Sequence, residues 1–188
     1  MYLRVPAVVL AVCAALVLLP YVEPILPEES FIAYNRMVGP RIGVGLAVTE
    51  HLKQPLLTQD FADMHGWPAL AATVKTVYEQ LPPADRNRAV VFAQNYGEAS
   101  AVAFFTNVPV VSGHNQYYLW GLHGKTGDVM IDINGACWHD YHLFRSVKTA
   151  AIFSNRFGMP YEDNMPIVVC RGANESLAKL WPKAKHYE

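Results

Sequence analysis

The sequence predicts an α/β domain carried behind one N-terminal transmembrane helix. Three observations lead there. The run from Val5 to Val22 holds no charged residue. Two short apolar runs, "AVVFA" at 89–93 and "VPVVS" at 108–112, flank an Ala-rich stretch that reads as helix. A third run, "DVMIDI" at 128–133, alternates as a strand does. Strand, helix, strand with a connection of that length implies a parallel βαβ unit with a right-handed crossover. The expected body is a small, three-layer-like α/β domain with a mostly parallel sheet and an antiparallel edge.

Composition limits the alternatives. A chain of 188 residues holds one ordinary domain plus a membrane element. With 52% hydrophobic and 16% charged residues it leans apolar, yet falls short of a multi-span membrane protein. The formal charge of −1 and the lack of a basic run argue against a nucleic-acid partner. Cys13, Cys137 and Cys170 form neither a disulfide framework nor a CxxC metal site. Cys13 lies in the apolar run. Cys137 and Cys170 read as two buried free thiols, with pairing in an oxidising compartment as the alternative.

The first segment, residues 1–27, reads as the anchor. Its uncharged run of about 18 positions would reach roughly 27 Å as helix, close to the thickness of a hydrocarbon core. Pro20, Pro24 and Pro27 then push the chain into an extended exit. Arg4 precedes the run and Glu23, Glu28 and Glu29 follow it, which favours a cytoplasmic start and an extracytoplasmic remainder. A cleaved signal peptide is the rival, but "LLPYVEPILP" offers no small-x-small cleavage site. The expected location is a bacterial inner membrane, crossed once.

Residues 28–57 read as a membrane-proximal linker. Gly39, Pro40, Gly43 and Gly45 leave no comfortable room for a long regular element. Phe31, Ile32, Tyr34 and Met37 could still form a short amphipathic turn at the membrane surface, beside Arg36 and Arg41. The compact domain is expected over 58–188. "LAATVKTVYEQL" sets Leu70, Val74, Val77, Tyr78 and Leu81 at helical spacing, and Pro82-Pro83 end it. "DYHLFRSV" reads as helix. "TAAIFS" and "PIVVCR" read as two strands of an antiparallel edge, joined through "NRFGMPYEDNM".

Ligands of open α/β sheets gather at the carboxyl ends of strands, where helix N-termini offer unpaired N–H groups. Asn95, Tyr96, Gly97 and Glu98 fall at such an end after the first strand. Ser112, Gly113, His114 and Asn115 fall at the end of the second, directly before Tyr117, Tyr118 and Trp120. Polar donors and acceptors beside aromatic rings suit a sugar, which presents hydroxyls at its edge and C–H groups on its face. Parallel neighbouring strands would bring the two loops to one pocket. The alternative is structural: Asn95 and Ser112 as caps, Glu98 complementing a helix dipole, and the rings as core.

Other chemistry finds less support. "QNYGEA" lacks the later glycines of GxGxxG, and no Walker sequence or GxSxG elbow occurs. In "WHDYH", His139 and His142 would share a helical face with Asp140 between them. No third ligand follows from the spacing, so neither a metal nor a cofactor is assigned.

Four strings, "LTQDFADMHGWPALA", "VVFAQNYGEASAVAFF", "VVSGHNQYYLWG" and "MPYEDNMPIVVCRG", carry a resemblance. In this order they resemble the C-terminal portion of bacterial glycosyltransferases of family 39, relatives of the aminoarabinose and protein-mannosyl transferases. The resemblance runs from the Val5 anchor to Arg171. It implies a last membrane helix followed by an extracytoplasmic α/β domain. It also implies transfer of a sugar from a polyprenyl-phosphate donor by acidic residues in an early extracytoplasmic loop. That loop has no counterpart in this sequence, so no catalytic residue is carried over, and Glu98, Glu162 and Asp163 receive no such role.

Three functions compete. The first is the terminal domain of a lipid-linked-sugar glycosyltransferase, binding acceptor or supporting structure without making the bond. It would be either a fragment of a larger enzyme or a tail acting with a separate membrane-helix partner. The second is an independent membrane-anchored module that binds a sugar or glycan. The third is an autonomous hydrolase or transferase using Glu98 with His114.

Overall fold

The computed structural model describes residues 4–43, 55–135, 137 and 143–187. The chain divides into two compact units. One contains the chain through His65 together with Arg156–Tyr161, and the other contains Gly66–Asn155 and the chain from Glu162 onward.

In the first unit, helix α1 spans Arg4–Val22 and is long and apolar enough to cross a membrane. Its flank is an uncovered apolar rod, and within it only Pro20 is buried. The expectation that 28–57 lacks a long element is corrected by α2, Glu28–Ile42. Glu28 and Glu29 occupy its first turn, where negative charge suits the helix dipole. Gly43 ends it at φ 70°, donating to the Gly39 carbonyl. Pro40 lies in the last turn, where it removes one i→i−4 hydrogen bond, and the helix stops two residues later. Tertiary contact supplies the rest. Phe31 and Ile32 are buried with Leu57, Met159, and Phe61 and Ala62 of α3 (Gln59–Ala62). The Tyr21 ring meets Phe31 edge-on at 5.5 Å, and its hydroxyl donates to Asn35 Oδ1 at 3.0 Å. Tyr34 donates to the Val17 carbonyl at 2.6 Å, so α2 folds back along the end of α1.

The second unit runs α4 (Trp67–Glu79), α5 (Pro83–Arg86), β1 (Ala89–Ala93), α6 (Tyr96–Phe105) and β2 (Val110–Ser112). It continues with α7 (Asn115–Trp120), β3 (Val129–Ile133), β4 (Phe144–Phe153), β5 (Met165–Ala173) and α8 (Leu177–Ala184). The sheet order is β2-β1-β3-β5-β4. The βαβ unit is present as expected: β1 and β2 are adjacent and parallel, with Ala93 opposite Ser112. β1 also pairs parallel with β3, Phe92 facing Asp132.

The sheet is not mostly parallel, however. β5 runs antiparallel to both β3 and β4, so the sheet is evenly mixed. Apolarity decides which arm of the hairpin goes inside. β5 buries Ile167, Val168, Val169 and Cys170, whereas β4 exposes Arg145, Lys148 and Thr149. The polar arm takes the edge, where its charge also blocks pairing with another chain. β4 itself corrects the helix expected over "DYHLFRSV": Phe144 pairs with Ala173 and Val147 with Cys170. Leu143, Phe144 and Val147 satisfy either a helical or a strand period over so short a run, and pairing with β5 selects the strand.

Alternation along the strands sends two apolar sets to opposite faces of the sheet. Val91, Ile131, Ile133 and Ile167 pack with Leu70, Val74 and Val77 of α4 and Ala99 and Val102 of α6. Val90, Phe92, Met130 and Val168 pack with Leu177 and Ala184 of α8. Cys137 and Cys170 belong to this second set and are joined as a disulfide, which corrects the free-thiol reading. Cys137 and Cys170 stand at a Cα–Cα distance of 6.7 Å. The "WHDYH" group, His139, Asp140 and His142, lies outside the described residues.

Candidate functional site

The carboxyl ends of β1, β2 and β3 define the site, and the two loops named from sequence meet there. After β1, Asn95 is the N-cap of α6, and its side chain accepts from the Glu98 N–H at 2.8 Å. Glu98 reaches back so that Oε2 accepts from the Gln94 N–H at 2.9 Å and the Asn95 N–H at 3.4 Å. This reciprocal capping box accounts for where the strand breaks and the helix starts. Gly97 lets Trp67 close over the turn: a Cβ there would lie 3.0 Å from the indole.

After β2, Ser112 is fully buried and its Oγ accepts from the His114 N–H at 3.1 Å. His114 Nδ1 accepts from the Tyr96 N–H at 3.3 Å, and the Tyr96 ring lies 5.1 Å from the imidazole. That contact joins the loops directly. Asn115 adopts φ 52°, a left-handed conformation that Asn tolerates. Its carboxamide lies 2.9 Å from His114 Nε2.

The cleft between the loops holds the protein's own C-terminal segment. The Asn115 N–H donates to the His186 carbonyl at 3.1 Å, and the His186 N–H donates to the Gly113 carbonyl at 3.2 Å. The His186 ring stacks on His114 at 4.7 Å, with Nε2 2.8 Å from the Gln94 carbonyl. Gly113 is required by this seat, since a Cβ would fall 1.9 Å from the Ala184 carbonyl oxygen. The aromatic residues divide. Tyr118 stacks on Trp181 of α8 at 5.5 Å, and Trp181 Nε1 donates to the Tyr118 carbonyl at 3.2 Å. Trp120 stays exposed and meets Tyr117 edge-on at 4.5 Å, while the Tyr117 hydroxyl lies 3.2 Å from Ser100 Oγ.

Sequence reasoning missed the centre of this network. Gln94 bonds to Glu98 through its N–H, to His186 through its carbonyl, and to Asp132 Oδ1 through Nε2 at 2.8 Å. Asp132 is fully buried on β3. An aspartate in the otherwise apolar "VMIDI" was the available signal, because buried charges are rare unless they are engaged. Gly135 leaves room for the pair, since a Cβ there would lie 2.5 Å from Gln94 Nε2. His186 and Trp181 carried no comparable signal.

Burial pushes the Glu98 carboxyl up to about 8, against the opposing effect of its two backbone N–H donors. The nearby carboxylates of Glu162 and Asp132 push it further the same way. Glu98 is therefore mostly protonated at neutral pH, and at 1% exposure it is sealed from solvent. Such a group holds a helix start in place and carries a pH-dependent cost.

Comparison with protein-family models, with characterised proteins and with solved structures gives no match to this chain.

Proposed function

We propose that this chain is the membrane-anchored terminal domain of a glycosyltransferase that uses a polyprenyl-phosphate-linked sugar. In this reading α1 crosses a bacterial inner membrane once, and the α/β body, layered with helices on both faces, lies outside the cytoplasm. The domain contributes acceptor binding or support to a membrane-helix partner and does not form the glycosidic bond. One observation supports the last clause: Glu98, the carboxyl group of the first motif loop, is buried and engaged as a helix cap. The family-39 resemblance of the four strings supports the donor class, and the Cys137–Cys170 disulfide supports an oxidising compartment.

The test has two arms. Alkaline phosphatase fused after Glu188 should be active and a cytoplasmic reporter silent; the opposite pattern removes the extracytoplasmic reading. The purified chain given polyprenyl-phosphate sugar and candidate acceptors should transfer nothing. Donor-dependent turnover that Glu98→Gln abolishes would instead make the domain an enzyme in its own right. A second reading, an independent glycan-binding module, is favoured by the exposed rings of Tyr96, against His114, and of Trp120, against Tyr117.

A further inference from the structure

At the carboxyl end of α6, away from the strand-end loops, lies a feature that those loops do not explain. Helix α6 is ten residues long, so its far end stands about 15 Å from Asn95. There Phe104 is 82% exposed and Phe105 48% exposed, their rings edge-to-face at 4.9 Å. Both border a groove of about 410 Å³, lined also by Lys75, Glu79, Arg86 and Asn107. That volume falls within the range of about 300–1,000 Å³ for small-molecule sites. We propose that this groove binds a neutral pyranose ring, stacked on Phe104 and hydrogen-bonded through Lys75, Glu79 and Asn107.

Charge selects a neutral ligand. Helices α4 and α6 both end at the groove, and each carboxyl end carries about half a negative charge. Arg86 already serves the end of α4, donating from Nη2 to the carbonyls of Glu79 and Leu81. Lys75 stands 3.8 Å from Glu79. Two cations, one carboxylate and two helix ends sum to about zero, so an anion gains little here.

Shape and polarity select a sugar among neutral molecules. Thr106 is occupied, since Oγ1 donates to the Val102 carbonyl at 2.6 Å and accepts from the Val108 N–H at 3.1 Å. The exposed Lys75 ammonium, Glu79 carboxylate and Asn107 carboxamide remain at the rim, supplying donors and acceptors together. A lipid chain would strip water from these groups and return nothing. A pyranose offers C–H bonds to the Phe104 face and hydroxyls to the rim. The proposal does not depend on the glycosyltransferase reading, since a failure here leaves the reporter-fusion and transfer tests untouched.

The experiment uses the full chain in phosphatidylcholine nanodiscs and saturation-transfer NMR. The probes are the methyl glycosides of mannose, glucose and N-acetylglucosamine, with glucuronate as the anionic comparator. Saturation should reach the ring C–H protons of at least one neutral glycoside and exceed that of glucuronate. Phe104→Ala should weaken that binding about tenfold, a change worth ~1.4 kcal/mol. Asn107→Ala should weaken it less, and Phe104→Trp should preserve it. Ile152→Ala, at another exposed apolar side chain on β4, should leave it unchanged. No transfer to any of the three glycosides, a preference for glucuronate, or indifference to Phe104→Ala would overturn the proposal. Phe104 is so exposed that its loss leaves the core intact, and unchanged near-ultraviolet circular dichroism checks this.

Discussion

Glu98→Gln is the substitution whose outcome the structure fixes most tightly. Gln keeps the shape of Glu and its oxygen still accepts from the Gln94 and Asn95 N–H groups, so the capping box survives. What changes is the proton. In the folded chain Glu98 titrates at about 8, against an ordinary 4.5. Between those values the folded state holds a proton that the unfolded state has lost. The stability Glu98 confers is therefore fully present below about pH 4.5 and falls as pH rises, by about 1.36 kcal/mol per pH unit, until about pH 8. The accumulated loss is on the order of 5 kcal/mol at pH 8 and about 3 at pH 7. Gln carries no such cost. The variant should match the parent near pH 4.5 and become progressively more stable than it towards pH 8. Denaturant unfolding of the full chain in detergent, followed by tryptophan fluorescence at several pH values, measures the difference. A difference that stays flat across this range would refute the assignment of a buried, protonated Glu98.

Gly113→Ala should expel the C-terminal segment, because its Cβ would collide with the Ala184 carbonyl. We expect a loss of about 1–3 kcal/mol and faster proteolysis after α8, with secondary structure retained. Reduction of Cys137–Cys170, which closes a separation of 33 residues, should lower stability by about 3–4 kcal/mol; an unchanged unfolding midpoint under reductant would contradict the bond. Asp85 is held below the usual carboxylate range chiefly by its 2.8 Å hydrogen bond from Arg171 Nε, with a smaller effect from Arg88. The stability it lends is thus present above its ordinary value and lost as pH falls through the lowered one. Asp85→Asn should lower the melting temperature at neutral pH, with the gap narrowing in acid and in high salt.

Much of the local structure was legible because it is encoded locally. The Pro82-Pro83 stop, the apolar period of α4, the run Ala89–Ala93 and the Asn95–Glu98 box depend on residues within a few positions of one another. The α2 helix and the strand at Phe144 were misread for the opposite reason. Gly39 and Pro40 argue against a helix over 28–42 until Phe31 and Ile32 find Leu57 and Phe61 to cover them. "HLFRSV" is ambiguous until β5 offers a pairing edge.

The candidate site divides along the same line. That Asn95, Glu98, Ser112, His114 and Asn115 would gather at neighbouring strand ends followed from the βαβ connection, which the sequence states through its element lengths. What fills the cleft between them did not follow. His186 lies 92 positions from Gln94, and only the packing of α8 on the Phe92 face of the sheet carries it there. Asp132 with Gln94 and Cys137 with Cys170 are likewise far apart in sequence and meet only in the folded sheet. The sequence alone thus determined the apolar N-terminal helix, the alternation of strands and helices, and the turn at Asn95 that starts α6. These rest on period and on near neighbours. The tertiary structure alone decided which hairpin arm is interior, which carboxyl is forced to keep its proton, and which loop groups are already taken. Those depend on burial, and burial is a property of the whole assembly of elements.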